Sequence, residues 1–191
     1  MRRGAAGPNP MQDKILTILA HHGVMSLATN RPDGWPQATT VSYINQGLTL
    51  YFLISRTSQK FANISADDRV SISIASGSPE PAHFEGLSMS ARAAEARDEP
   101  WRSDILAQMR ARHPGYFETR ALDMSRSALI RALPQVISIV DFSKGLGHTD
   151  LVTVGVDQTL EMTAARPDDW GPDPAEPRLA HLSTGAAARD D

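Results

Sequence analysis

The sequence predicts a mainly β protein of the α+β kind. Six or seven antiparallel strands curl into a closed or partly closed barrel, with helices at its periphery. Three observations carry this. Short apolar runs rich in β-branched residues recur from Val24 to Val156. Most are joined by tight turn signals such as Asp33-Gly34 and Asn45-Gln46-Gly47, and short connections favour antiparallel neighbours. Helical periodicity is confined to a few segments between them.

The elements follow in order. Asn9 and Pro10 mark a helix start, with Gln12 near the capping-box position. Met11, Ile15, Ile18 and Leu19 repeat at helical spacing, and Gly23 is the expected stop. Residues 24–30, 37–44 and 48–55 read as strands, the third apolar on both faces and so central. A short helix is expected at about 58–66 and a fourth strand at 69–75. Residues 76–81 form a loop, and 85–98 a long strand. Residues 99–112 form an amphipathic helix with Trp101, Ile105, Leu106 and Met109 on its apolar face, stopped at His113-Pro114-Gly115. Residues 128–142 make one or two strands around Pro134, and 149–156 the last. The domain expectation is therefore a disordered leader at 1–8, a barrel domain at 9–156, and a disordered or loosely packed tail at 157–191, where apolar residues thin out.

Composition narrows the function. The chain has 191 residues and a formal net charge of −3, from 19 Lys and Arg against 22 Asp and Glu. That balance disfavours a general nucleic-acid binder. With no cysteine, thiolate metal sites and thiol nucleophiles are excluded. No apolar run approaches a membrane span, and the N-terminus lacks the apolar segment of a secretory signal. A cytoplasmic protein with no membrane or nucleic-acid partner is the expectation. His-x-x-His, nucleophile-elbow, Rossmann and P-loop patterns are absent, so no metal site and no catalytic residue is assigned.

One stretch does point to a ligand. Ser55, Arg56, Thr57, Ser58, Gln59 and Lys60 place hydroxyls, an amide and two cations where a strand becomes a helix. A helix start offers free N–H groups and positive dipole, which suits an anion. Spacing alone leaves two readings open: a phosphate site, or a Ser58 cap with Arg56 and Lys60 in solvent. His148, after a glycine-rich turn, either faces a groove or bonds to backbone; His83 and His113 sit beside loops.

The order of elements around "VMSLATNRPDGWPQATTVSYI" and "GLTLYFLISRTSQKFANISADDRVSISI" resembles the FMN-binding split-barrel proteins, the pyridoxamine 5′-phosphate oxidase-like family. The likeness covers about residues 11 to 98 and resumes at "ALIRALPQVISIVDFSKGLGH". The resemblance implies a six- to seven-stranded antiparallel split barrel with peripheral helices, FMN as cofactor, and a homodimer with flavin in a groove between subunits. It implies that Lys60 and Ser58 hold the flavin phosphate, that Thr39, Thr40, Val41 and Ser42 run beside the flavin, and that Ser55 and Thr57 border it. Gln59 stands where the family has arginine, and Arg56 is the candidate replacement. That departure keeps deazaflavin F420, haem or no cofactor open. The family oxidase closes its substrate site with an Arg-x-His element near the C-terminus; here His181 follows Arg178-Leu179-Ala180, so that activity is not implied. The expected role is a flavin-dependent oxidoreductase with a small-molecule electron donor and acceptor; the alternative is a flavin or haem carrier or sensor. Tyr43, Phe52 and Trp101 are either interface or core residues.

Overall fold

The chain enters its first helix as the capping pattern predicts. The Asn9 side chain accepts the Met11 N–H at 3.1 Å and Pro10 takes the first helical position. A computed structural model describes residues 9–75, 80, 84–118, 123 and 125–165. The expected leader, the tail beyond Ala165 with His181, and most of the 76–83 loop with His83 lie outside the described residues. Helix α1 spans Pro10–His21 and buries Ile15, Ile18 and Leu19. It is followed by β1 (Val24–Asn30), β2 (Pro36–Gln46), β3 (Thr49–Ser55), α2 (Gln59–Ala66), β4 (Arg69–Ala75) and β5 (Glu85–Glu95). Then come α3 (Arg102–Arg112), α4 (Pro114–Glu118), β6 (Ser127–Asp141), β7 (Thr149–Val154) and β8 (Leu160–Ala165).

All strand pairs are antiparallel, in the order β3-β2-β1-β4-β5-β6-β7-β8. A further pairing of β3 with β6 closes the first six strands into a barrel. Strand β6 makes this possible because it has 15 residues. One edge pairs with β5 along most of its length. The other pairs with β3 from Ser127 to Ala132 and with β7 from Val136 to Val140. Pro134 lies in the interval between those two partners, opposite Ala91 and next to a register shift at which Gln135 of β6 has no partner in β5. A proline is tolerated at such an irregularity, where the ladder is already interrupted. This is why one bent strand, and not two, spans the proline.

The barrel interior holds Leu27, Tyr43, Phe52, Ile72, Met89 and Ile137, all essentially buried. A smaller cluster of Ile44, Tyr51, Ala96, Ile105, Met109 and Leu129 lies under α3. Strand β3 is apolar on both faces because Leu50, Phe52 and Ile54 join the first cluster and Tyr51 and Leu53 the second. Tyr43 and Phe52 are therefore core, while the half-buried Trp101 packs edge-on against Tyr51 at 5.2 Å. The end of α3 is tied to the end of α1: Arg112 Nη2 donates to the carbonyls of Leu19, Ala20 and His22 at 3.3, 2.8 and 2.7 Å. Free carbonyls at a helix C-terminus favour such a cation.

The sheet runs past the expected boundary at Val156. Strand β8 pairs with β7 through a turn in which Gln158 has φ 63°, and Gln158 Oε1 accepts the Leu48 N–H at 3.0 Å. The sequence hides this hairpin because its left-handed position carries glutamine instead of glycine. Among the described residues there are eight strands, six in the closed barrel and two beyond it.

Asp141, at the end of β6, is 4 % exposed and is held by the Lys14 ammonium and by Ser143 Oγ at 2.6 Å. Burial pushes its carboxyl up, but the Lys14 and Ser143 hydrogen bonds outweigh that and hold it down at about 2. An unfolded Asp titrates near ~3.9. The pair therefore contributes its full stability above that value and loses it as pH falls through the interval to about 2. Asp141→Asn should lower stability near neutral pH by about 1–3 kcal/mol, since it leaves Lys14 with only the longer contact to Glu85 at 3.9 Å. The gap from the parent in urea unfolding should narrow as the pH is lowered towards that folded-state value.

Candidate functional site: an opening between two strands

The hairpin of β2 and β3 pairs from Gln46 with Thr49 to Tyr43 with Phe52, and there the ladder stops. Continued, its register would set Ser42 against Leu53, Val41 against Ile54 and Thr40 against Ser55. Instead β2 stays with β1 along residues 36–42, and β3 stays with β6 along residues 50–55. The six residues between them line a cavity of about 300 Å³. Lys60 from α2, Met109 and His113 from α3 and its cap, and Phe117 from α4 complete the lining. Hydroxyls of Thr40, Ser42 and Ser55 and the Lys60 ammonium supply polar groups; Val41, Leu53, Ile54, Met109 and Phe117 supply apolar surface.

Of the sequence-predicted residues, the fold brings Thr40, Val41, Ser42, Ser55 and Lys60 to this cavity. Thr39, Arg56, Thr57, Ser58 and Gln59 are not in its lining. Thr39 pairs with Leu27 of β1. Ser58 caps α2: its Oγ accepts the Phe61 N–H at 3.3 Å and donates to the Ser55 carbonyl at 2.6 Å. Ser55 and Thr57 hydroxyls lie 2.9 Å apart. Gln59 donates to Asn63 Oδ1 at 2.9 Å.

Arg56, the candidate replacement for the arginine missing at Gln59, is turned to Glu95 and is not in the cavity lining. Its guanidinium grips Glu95 through both nitrogens, Nη1 at 3.0 Å, and lies 5.8 Å from the Phe61 ring centre. Burial pushes the Glu95 carboxyl up, yet Arg56 and Arg97 together hold it below its usual value. A bidentate pair to a largely buried carboxylate is the stronger claim on that arginine. Lys60 makes no ion pair among the described residues. His148 lies outside the cavity lining; its Nε2 is 3.2 Å from Asp150, which Lys144 also holds at 2.8 Å.

Sequence reasoning missed Leu53, Ile54, Met109, His113 and Phe117 as lining residues. A signal was present: Met109, His113 and Phe117 are spaced four apart, which sets side chains on one helical ridge. The ridge continues across the break between α3 and α4, so it reads as a helix face followed by a stop signal. His113 Nε2 lies 3.0 Å from the Tyr43 carbonyl oxygen.

Asn63 sets the position of α2 and with it Lys60. It is fully buried, and its Nδ2 donates to Thr29 Oγ1 at 3.0 Å and Gln37 Oε1 at 3.2 Å. These bonds fasten α2 to β1 and β2. Among the described residues no group of three or more His, Cys, Asp or Glu side chains could hold a metal ion. No helix among them is long and apolar enough to cross a membrane.

The family model described as pyridoxamine 5′-phosphate oxidase matches residues 11–140, more than half the chain. The chain belongs to the pyridoxamine 5′-phosphate oxidase-like family. The match includes α1, the first five strands, α2, α3 and nearly all of β6, and so every wall of the cavity. Among solved structures the chain is similar to a Listeria innocua protein whose name assigns it provisionally to pyridoxamine 5′-phosphate oxidase. The two are 25% identical, with TM-score 0.58 over 69% of this chain and 98% of that one. It is also similar to a pyridoxamine 5′-phosphate oxidase-related, FMN-binding protein from Nostoc punctiforme, at 16% identity and TM-score 0.61 over 84% and 99% of the two chains. The haem storage protein HutZ from Vibrio cholerae shares the fold at 20% identity and TM-score 0.55, over 64% and 88%. No curated protein matches the chain.

Asn63→Ala should cost about 1–3 kcal/mol, because Thr29 and Gln37 lose a buried donor. Urea unfolding measures this; a midpoint equal to the parent's would show that Asn63 does not anchor the helix.

Proposed function

We propose that the chain binds FMN in the cleft between β2 and β3 and works as a flavin-dependent oxidoreductase. The observation that carries this reading is the composition of the cleft. One small cavity offers hydroxyls and an unpaired lysine for an anion beside Leu53, Met109 and Phe117 for an apolar ring. A flavin mononucleotide has those two parts. Membership of the family and the Nostoc FMN-binding relative support the same ligand.

Lys60 and the hydroxyls of Ser55, Thr40 and Ser42 bind and orient the phosphate and its chain. Leu53, Met109 and Phe117 exclude water from one side of the ring. When bound, FMN supplies the one- or two-electron chemistry; a reduced nicotinamide is the proposed donor and a small molecule the acceptor. A cavity of about 300 Å³ is at the lower end for small-molecule sites. A second copy of the chain, in a homodimer, is proposed to cover the remainder.

The purified protein should be yellow, with flavin absorption that bleaches on addition of NADH or NADPH. A haem Soret band in its place would favour the carrier reading, and deazaflavin fluorescence would favour F420. Lys60→Ala should weaken FMN binding by roughly 10- to 100-fold, the effect of losing one charge-assisted bond, and leave the unfolding midpoint near the parent's. Unchanged affinity by flavin fluorescence quenching would remove the phosphate from this end of the cleft.

A further inference from the structure

Lys60 is the one lining residue with a fixed positive charge. A phosphate monoester carries about −1.5 to −2 near neutral pH. Arg56 is committed to Glu95, and Gln59 is uncharged. The cavity is therefore short of positive charge for such a ligand, and the lining contains one further group able to supply it, His113.

The His113 ring is held from several sides. A carbonyl only accepts, so the ring nitrogen 3.0 Å from the Tyr43 oxygen, Nε2, carries the hydrogen. The His113 backbone N–H donates to Met109 at 2.9 Å. A Cβ on Gly23 would come within 3.2 Å of Cε1, so glycine leaves that space to the ring. The adjacent Arg112 is anchored on three carbonyls of α1 and its cap. In this tautomer Nδ1 is bare, and it takes no hydrogen bond among the described residues. A proton entering the ring goes to Nδ1.

We propose that His113 takes up a proton from solvent when a phosphate monoester enters the cavity, adding a second positive charge to that of Lys60 and making affinity for the phosphorylated ligand depend on pH. The inference rests on the reading of the cavity as a phosphate site. The charged and titratable groups around the ring do not substitute for it. Arg112, next to it, is turned to α1. The Tyr43 phenol donates to the Leu19 carbonyl and is pushed up by burial to about 12. On α4 and α3, Arg110 lies over the Phe117 ring at 5.4 Å. No carboxylate is in the lining to neutralise the new charge.

The experiment is titration calorimetry of the full chain with FMN and with riboflavin, in two buffers of different ionisation enthalpy, on the parent and His113→Gln. Glutamine keeps a side-chain N–H for the Tyr43 carbonyl and cannot take a proton; His113→Asn serves if that variant does not fold. Net proton uptake should accompany FMN but not riboflavin in the parent, and should be lost in the variant. The variant's affinity for FMN should fall about 5- to 10-fold relative to the parent at about pH 6, and much less at about pH 8. The titration of the free phosphate is common to parent and variant and cancels in that ratio. Equal uptake with FMN and riboflavin, or equal uptake in parent and variant, overturns the role of His113 and leaves the flavin reading standing. A parent that binds neither ligand overturns the flavin reading and this inference together.

Discussion

Strand β3 does not keep two neighbours over its whole length, and the site follows from how its two edges are used. Its backbone groups pair with β2 over residues 49–52 and with β6 over residues 50–55. The pairing with β6 closes the barrel and removes the open edges that a free sheet would carry. Strand β2, bound along residues 36–42 to β1, does not follow β3 in that direction. The two strands part beyond Tyr43 and Phe52, and the residues that would have faced each other across a ladder face a cavity. The opening is thus a product of barrel closure, not of a loop laid over the surface.

The charged residues show why so few cations serve this cavity. Burial makes an unpaired charge costly, so partly buried arginines and lysines are drawn to carboxylates. Arg56 goes to Glu95, Lys14 to Asp141 and Lys144 to Asp150. The first two pairs bind elements distant in sequence, a turn to β5 and a helix to β6; the third joins a short 3-10 turn to β7 six residues on. Lys60 escapes because it lies on the first turn of α2, facing the cavity, with Asn63 one turn on fastening the helix to β1 and β2.

The helical pair α3 and α4 has two tasks at once. Ile105 and Met109 cover the outer face of β3, and Arg112 closes the carbonyl end of α1. Because those contacts fix its axis, the ridge of Met109, His113 and Phe117 comes to rest against the cavity. A segment that reads as an ordinary amphipathic helix with a stop signal becomes one wall of the site.

The sequence by itself determined the strands from Val24 to Ala75, both capped helix starts at Asn9 and Ser58, the barrel class, and half the candidate site. These depend on neighbours within a few residues: alternation along a strand, a hydroxyl or amide before a helix, a glycine turn. The lysine at 60 and the strand segment at 40–42 were singled out by the resemblance to the family, not by local pattern alone. Tertiary structure alone decided that Arg56 turns to Glu95, since its partner lies 39 residues away. It also decided that β6 serves two neighbours around Pro134, that Gln158 turns the chain into β8, and that His113 meets Tyr43 70 residues away. Each is a long-range pairing settled by which backbone or carboxylate the closed barrel brings within reach, and no local pattern records it.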